Sequence, residues 1–246
     1  MSRGIRPAVT VYADAAALAR GAADLVTACG RDAISARGAF TLALAGGSTP
    51  RRTYDELAAR PDGLDAARTW FAFGDERCVG PDHDRSNYRM VREALLDPLG
   101  AQAARVLRLE GEIDPAAAAR RYETRLRAIL PEADPRLDLV LLGIGADGHT
   151  ASLFPGTAAL DERERWVVEN WIPQLGEWRL TLTLPALDAA RRVAFLVSGA
   201  DKAAIVAEAF GDAAHDAPHP CERVRPAAGL LDVLLDAPAA ARLGAG

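Results

Sequence analysis

The sequence contains little cysteine. Its three cysteines, Cys29, Cys78 and Cys221, stand far apart, and no two of them form a C-x-x-C pair. An odd number of isolated cysteines argues against a disulfide framework or a zinc site and favours reduced thiols. The chain also lacks any apolar run near the ~20 residues that a membrane-spanning helix needs. Met1–Tyr12 lacks the apolar core of a signal peptide. These absences predict a cytoplasmic protein with no membrane partner.

An excess of positive charge is missing as well. The formal net charge is -5 at pH 7, which argues against a nucleic-acid partner. Apolar residues make up 50% of the chain and charged residues 26%, as is ordinary for a globular protein. No repeat, low-complexity linker or break in composition divides the 246 residues. We therefore expect a single domain over residues 1–246, long enough to bury a full core.

Several catalytic motifs are absent. The chain has no GxxxxGK[ST] phosphate loop, no HExxH zinc motif and no GxSxG nucleophile elbow. Asp75, Glu76 and Asp82-His83-Asp84 resemble a metal cluster, but their spacing fits no Ca²⁺ loop, so a solvated loop is the better interpretation. The same interpretation applies to His215 and His219. We predict that the protein uses no metal and no other cofactor.

Gly143, Gly145 and Gly148 spell GxGxxG after an apolar run, as in dinucleotide-binding folds. Pro155-Gly156 interrupts the following segment after about six residues, too few for the helix of a ~30-residue βαβ unit. We interpret the spacing as a coincidence. A nicotinamide-dependent oxidoreductase is an alternative that rests on these glycines alone.

Strand and helix patterns alternate along the chain. Apolar runs predict strands at Ala8–Tyr12, Phe40–Ala45, Trp70–Phe73, Leu139–Ile144, Trp166–Val168, Leu180–Leu184 and Val193–Val197. Helical spacing and capping residues predict helices after Asp14, from Pro50, from Asp114-Pro115, at about Lys202–Phe210 and at about Leu230–Leu235. Loops are predicted at Gly74–Tyr88 and Gly211–Pro226. The alternation predicts an α/β fold with an open, mainly parallel Rossmann-like sheet and helices on both faces.

The segment Leu137–Thr150 is the most informative part of the sequence. Its apolar run predicts a strand buried on both faces, and the run ends in a glycine-rich turn that carries Asp147 and His149. Ligands of open α/β sheets bind outside the carboxyl ends of the strands. A histidine beside a carboxylate is a usual general base near neutral pH. The alternative is a structural histidine whose ring nitrogen is held by Asp147.

Polar or glycine-rich sequence follows four of the predicted strands, at Gly46–Pro50, Gly74–Arg77, Gly145–His149 and Ser198–Lys202. If the sheet is parallel, all four segments lie at one edge, where the active site is expected. The turn before the second helix offers backbone N–H groups, two hydroxyls and a positive helix end, which together suit an anion. Lys202 would add a cation. Taken separately, an ordinary capped turn and a solvated surface lysine explain these features as well.

Four motifs in this order resemble the 6-phosphogluconolactonase family, which is related to the glucosamine-6-phosphate deaminases. They are LAGGSTP (44–50), GDERCV (74–79) with Asp82-His83 and Ser86–Tyr88, GIGADGHTASLFPG (143–156), and RLTLT (179–183) with SGADK (198–202). The resemblance extends from about Ala8 to Leu235. It implies hydrolysis of 6-phosphoglucono-δ-lactone in the oxidative pentose phosphate route, by attack of water and without a metal or a covalent intermediate.

The resemblance also implies roles for individual residues. His149 would be the general base, Asp147 would orient it or its loop, and Arg77 would stabilise the oxyanion or hold the sugar. Asp75 and Asn87 would contact sugar hydroxyls. The phosphate would be bound by Gly47, Ser48, Thr49, Arg179 and Lys202, and Gly46 also belongs to the implied substrate site. Arg179 is assigned by the resemblance alone.

Details of the motifs separate the two branches of this superfamily. Deaminases carry a glutamate after their Asp-Gly-His, whereas Thr150–Gly156 contains no acid, and they carry a tyrosine in place of Arg77. Both differences favour the lactonases. Gly80, where lactonases often have proline, and His215–Pro220, which matches nothing, depart from the pattern. A deaminase or isomerase and a non-catalytic sugar-phosphate sensor stay as alternatives. The sequence predicts neither the oligomeric state nor the tolerance for other lactones.

Overall fold

Strands and helices alternate along the chain in the computed structural model, which describes residues 7–61, 63–211 and 217–244. The strands are β1 (Ala8–Tyr12), β2 (Phe40–Leu44), β3 (Thr69–Phe73), β4 (Asp75–Arg77), β5 (Leu139–Leu142), β6 (Val167–Ile172), β7 (Glu177–Leu182), β8 (Arg192–Val197) and β9 (Leu230–Asp236). The α-helices are α1 (Ala15–Arg37), α2 (Ser48–Ala58), α3 (Asn87–Val91), α4 (Pro115–Ile129), α5 (Leu184–Ala189) and α6 (Ala203–Phe210).

Six strands form one sheet in the order β1-β9-β8-β5-β2-β3. Every neighbouring pair in it is parallel. Strands β2 and β5 are buried at every residue, because both faces of the sheet are covered there. Such strands appear in a sequence as nearly continuous apolar runs. The predicted α/β fold with a mainly parallel sheet is confirmed, and the carboxyl ends of these strands meet at one edge.

The two longest helices begin where the sequence predicts. The carboxylate of Asp14 accepts the N–H of Ala17 at 2.7 Å, and that of Asp114 accepts the N–H of Ala117 at 2.9 Å. Each carboxylate satisfies one of the N–H groups that a helix start leaves unpaired. Helix α2 differs from the prediction, because it starts at Ser48 and not at Pro50. Pro50 still lies in the first turn, where the missing N–H of proline costs no helical hydrogen bond.

Two buried tyrosines fix the backbone where β2 and β3 end. The hydroxyl of Tyr54 accepts the N–H of Ala45 at 2.9 Å and donates to the carbonyl oxygen of the same residue at 2.9 Å. Tyr122 makes the same pair of hydrogen bonds with Phe73, at 2.7 and 3.0 Å. Backbone groups at a strand end lose their ladder partners and are costly when buried unpaired. The two side chains therefore hold the strand ends from which the polar turns begin.

A second, three-stranded sheet corrects two predictions. Strands β4, β7 and β6 pair antiparallel in that order. Asp75–Arg77 is thus a strand, and α3 begins at Asn87, so the predicted loop Gly74–Tyr88 is only partly a loop. The predicted strand Leu180–Leu184 also changes, because β7 ends at Leu182 and α5 begins at Leu184. Polar residues are paired and buried in β4, which their composition alone does not indicate.

The helix predicted at Leu230–Leu235 is wrong. This segment is strand β9, which lies between β1 and β8 and is parallel to both. Val233 and Leu235 are fully buried and Leu234 is 4% exposed, so adjacent residues on opposite faces are covered. A short apolar run buried on both faces has no period that distinguishes a strand from a helix. The helix prediction failed for that reason.

The predicted loop Gly211–Pro226 contains the 3₁₀ helix Pro220–Arg223; its residues 212–216, including His215, lie outside the described part of the chain. Among the described residues, no helix combines the length and the apolar character that crossing a bilayer would require.

Candidate active site

A cavity of about 610 Å³ opens at the carboxyl ends of β2, β3, β5 and β8. All the site residues predicted from the sequence line it: Gly46, Gly47, Ser48, Thr49, Asp75, Arg77, Asn87, Asp147, His149, Arg179 and Lys202. The four polar segments therefore converge, as a parallel sheet requires. The roles assigned to the individual side chains stay predictions.

Asp147 and His149 form a hydrogen-bonded pair in the turn that follows β5. The Nδ1 atom of His149 lies 2.5 Å from Oδ1 of Asp147, which also accepts the backbone N–H of His149 at 3.1 Å. Burial acts to raise the pKa of Asp147, but the charge interaction with His149 and the hydrogen bonds outweigh it and lower the pKa. When the N–H at Nδ1 donates a hydrogen bond to an ionised Asp147, Nε2 is left as the acceptor of a neutral imidazole. A general base needs this arrangement.

Two glycines shape this turn. A Cβ on Gly145 would lie 2.0 Å from Nδ1 of His149 and 2.6 Å from Oδ1 of Asp147, so no side chain fits there. Gly148 has φ of +78°, a left-handed conformation that glycine adopts without strain. Turns, not a helix, follow Gly148 up to Thr157. The GxGxxG spacing therefore does not belong to a dinucleotide-binding βαβ unit.

Asp75 and Asn87 form a buried polar cluster with Ser152. One carboxylate oxygen of Asp75 accepts the hydroxyl of Ser152 at 2.7 Å, and the other accepts Nδ2 of Asn87 at 3.1 Å. A Cβ on Gly46 would lie 1.9 Å from Oδ1 of Asn87, so this glycine makes room for the amide. A fixed carboxylate and amide at the cavity wall suit the hydroxyls of a sugar. No pattern in the sequence predicts that Ser152 belongs to this cluster.

The start of α2 presents unpaired N–H groups to the cavity. Gly47 is its N-cap residue, and no side chain caps the helix. The first N–H groups of a helix have no partner within it, and the helix dipole adds positive potential there. Ser48 and Thr49 add two hydroxyls at the same place. This end of α2 suits an anion such as a phosphate.

Lys202 follows β8, which lies on the other side of β5 from β2 in the sheet. It ends the 3₁₀ turn Ala200–Lys202 and precedes α6, and its Nζ is 3.5 Å from a carboxylate oxygen of Asp201. The turn before it is held by Asp236, which is 2% exposed. Asp236 accepts the N–H of Gly199 at 3.1 Å and the hydroxyl of Ser198. Asp236 is not predicted from the sequence, because the residues before it are predicted to be a helix.

Arg77 and Arg179 come from the second sheet. They are direct cross-strand partners in the β4–β7 pair. The Nε atom of each is buried and has no hydrogen-bond partner among the described residues. Burial and the neighbouring charge of Arg77 lower the pKa of Arg179, against the opposite effect of Glu177. Both side chains line the cavity, and two adjacent guanidinium groups suit an anionic group of a ligand.

Glu76 is buried, so the prediction of a solvated acidic loop is wrong for this residue. Its side chain is 2% exposed, and its carboxylate accepts the backbone N–H groups of Arg77, Asn87 and Tyr88, each at 2.8 Å. Burial raises its pKa, although these hydrogen bonds oppose the rise. Glu76 therefore anchors the start of α3. Asp82 and Asp84 agree with the solvated interpretation, because their side chains are exposed and paired with arginines.

His219 also differs from the prediction of a solvated loop residue. A Cβ on Gly148 would lie 2.6 Å from Cβ of His219, so the two residues are in close contact. The backbone N–H of Cys221 donates to the carbonyl oxygen of Gly148 at 3.0 Å. The segment around His219 therefore supports the turn that carries His149.

Comparisons with known proteins agree with this geometry. A family model described as glucosamine-6-phosphate isomerases/6-phosphogluconolactonase matches residues 13–233. The chain is 39% identical to the 6-phosphogluconolactonase of a Nostoc species over 97% of its length and 99% of the relative's. It is 40% identical to the human 6-phosphogluconolactonase over 85% and 82%. The solved 6-phosphogluconolactonase from Trypanosoma brucei superimposes with a TM-score of 0.84 at 32% identity, covering 98% of this chain and 100% of that one. The chain belongs to the glucosamine-6-phosphate isomerase/6-phosphogluconolactonase family.

Proposed function

We propose that this protein hydrolyses 6-phosphoglucono-δ-lactone to 6-phosphogluconate, in the oxidative pentose phosphate pathway. The relatives named above carry that activity in their names. One observation carries the proposal: the cavity holds a histidine–carboxylate pair, with Nδ1 2.5 Å from the carboxylate, together with Arg77, Arg179 and Lys202. A base and a set of cations in one cavity suit an ester that carries a phosphate.

In this proposal His149 activates water. Its Nε2 removes a proton while the water oxygen bonds to C1 of the lactone, which gives a tetrahedral oxyanion. The C1–O5 bond then breaks, and the protonated His149 returns the proton to O5. The product acid ionises to the carboxylate. General-base catalysis of this kind contributes typically ~10²–10⁴ in rate. Asp147 holds Nδ1 and stabilises the charged imidazole.

The remaining residues bind the substrate. The phosphate is bound by the start of α2 at Gly47–Thr49, by Arg179 and by Lys202. Asp75 accepts hydrogen bonds from the sugar hydroxyls, and Asn87 donates hydrogen bonds to them. Arg77 stabilises the oxyanion or holds the sugar. One donor to an oxyanion commonly contributes ~10²–10³ in rate. Phosphate binding lies remote from C1, so its binding energy serves to place C1 beside His149.

The proposed reaction needs only water and these side chains, and no cofactor is part of the proposal. A cytoplasmic location stays a prediction from the sequence. The lack of a nucleic-acid partner also stays a prediction, supported by the net charge of -5.

The test is hydrolysis of the lactone in excess EDTA. Glucose-6-phosphate dehydrogenase generates the substrate in situ, and 6-phosphogluconate is followed with and without the purified protein. We expect a rate well above that of spontaneous hydrolysis. Binding of 6-phosphogluconate without acceleration would contradict the proposal and favour a sugar-phosphate sensor. Release of ammonia from glucosamine 6-phosphate would favour a deaminase.

A further inference from the structure

The ring of His149 stacks on the ring of Phe154. The two ring centroids are 4.0 Å apart, and the planes differ by 17°. Phe154 is 8% exposed and lines the same cavity as His149. Stacked aromatic rings contribute favourable packing beyond the area they bury. The proposed mechanism above does not use Phe154.

The hydrogen bond to Asp147 cannot fix the imidazole by itself. The hydrogen bond at 2.5 Å restrains Nδ1 alone, so the plane of the ring also depends on its other contacts. The Nδ1–Cε1 edge rests against Gly145, where a Cβ would lie 2.0 and 2.2 Å from these atoms. That contact limits how far the edge can move. The flat face of Phe154 then sets the plane of the ring, and with it the direction of Nε2.

Hydrogen bonds to the second sheet hold the segment that carries Phe154. Its carbonyl oxygen accepts the hydroxyl of Thr157 at 2.8 Å. Nδ2 of Asn170 donates to that hydroxyl oxygen and to the carbonyl oxygen of Ser152, both at 2.9 Å. Asn170 is 2% exposed and belongs to β6. One buried amide therefore holds the segment on both sides of Phe154, so the phenyl ring has a fixed place from which to orient His149.

We infer that Phe154 is a positioning residue, which sets the plane of the His149 ring so that Nε2 faces the water that attacks the lactone. This inference rests on the proposed function, because it assumes that His149 is the base. Small errors in the placement of a catalytic group are costly: a 1 Å displacement can lower a rate by roughly 10²-fold. The effect belongs to the chemical step, since Phe154 holds none of the groups assigned to the phosphate.

The experiment compares Phe154→Leu, which removes the ring, with Phe154→Tyr, which keeps it. We expect Phe154→Leu to lower kcat by about 10–100-fold with KM within about twofold, and Phe154→Tyr to retain most of kcat. Phe195→Leu is the matched control, because Phe195 is fully buried in β8, contacts Phe210 and is not among the residues that line the cavity. This control is expected to lower Tm while the folded enzyme keeps its kcat.

A second measurement separates failure of this inference from failure of the proposed function. The ring protons of His149, assigned with His149→Gln, are observed by NMR in the protein without substrate. We expect the ring-current shift from Phe154 in the unmodified protein and in Phe154→Tyr, and its loss in Phe154→Leu. An unchanged His149 signal in Phe154→Leu would overturn the inference, whether or not the protein hydrolyses the lactone. In an active enzyme, equal losses of kcat in both variants, or none in Phe154→Leu, would overturn it too.

Discussion

Arg179 lies directly across the β4–β7 pair from Arg77, so two guanidinium groups of the same charge line one wall of the cavity. Their repulsion is reduced by Glu177, which contacts Arg179 and accepts Arg85 at 2.6 Å. Burial and the charge of Arg77 still lower the pKa of Arg179. The pair is therefore costly in the free protein, and an anion that binds between the two side chains relieves that cost.

Replacing Arg179 by methionine tests this relationship. We expect KM for the lactone to rise about 10–100-fold, because charge-assisted hydrogen bonds contribute about 1.5–3 kcal/mol each, while kcat changes little. Without ligand, Tm should be unchanged or higher, since the change removes a like charge and a buried unpaired Nε. Steady-state kinetics and thermal melting measure both. Arg85→Met, which removes the other partner of Glu177 outside the cavity, is the control. An unchanged KM in Arg179→Met would refute the phosphate role.

Adding one methyl group at Gly145 should disrupt the catalytic pair. The Cβ of Gly145→Ala would lie 2.0 Å from Nδ1 of His149 and 2.6 Å from Oδ1 of Asp147, so the pair must move. We expect kcat to fall by roughly 10²-fold with a smaller change in KM. Gly143→Ala is the matched control, because a Cβ there meets nothing within 4 Å. Its kcat should equal that of the unmodified enzyme, and parallel losses in both variants would contradict the argument.

Much of the site was predictable because it depends on the parallel sheet. Once the apolar runs of β2, β3, β5 and β8 are recognised, the polar turns after them must meet at one edge. Asp147, His149 and the start of α2 follow from that rule alone. The residue types are also informative, because a histidine two residues after an aspartate can form a hydrogen bond with its carboxylate. The 2.5 Å contact between His149 and Asp147 is such a bond.

The second sheet could not be derived in this way. In β4 the polar residues Asp75 and Glu76 are buried, and their partners are Asn87 at the start of α3 and Ser152, which is 77 residues from Asp75. Polar composition alone predicts a loop, because the compensating hydrogen bonds are tertiary. Arg179 was found only through the family resemblance, since no local pattern marks a strand residue as facing a ligand. Asn170 was missed for the same reason.

The pKa of Asp147, and with it the contribution of Asp147 to the stability of the fold, should depend on His149. Its pKa in the folded protein is lower than the ordinary value of 3.8. The ionised carboxylate therefore stabilises the fold above pH 3.8, and this contribution is lost as the pH falls through the lower folded-state value. In His149→Ala the charge interaction and the side-chain hydrogen bond are gone, so burial, which raises the pKa, is opposed only by backbone hydrogen bonds. We expect NMR titration of the carboxyl carbon to show a higher pKa for Asp147 in the variant.

The same variant should lose about 10²–10⁴ in kcat with little change in KM. His83→Ala, in the exposed loop before α3, is the control for both measurements. A pKa of Asp147 that is equal in His149→Ala and in the unmodified protein would show that the pair does not interact in solution.

Asp188, in α5 and away from the cavity, should destabilise the protein at neutral pH. Burial raises its pKa to about 6, although the N–H of Arg225 donates to it at 2.6 Å and Arg225 opposes the rise. The folded state thus holds this proton more tightly than the unfolded chain does, so stability falls as the pH rises from 3.8 to about 6.

Asp188→Asn keeps an acceptor for Arg225 and removes the charge. We expect a gain of ~1 kcal/mol at pH 8, reduced for partial exposure, and a Tm higher by about 2–4 °C. Near pH 4 the gain should vanish. Asp55→Asn, at an exposed position of α2, should follow the unmodified protein at every pH, and a gain in Asp188→Asn that is the same at pH 4 and pH 8 would refute the role of its charge.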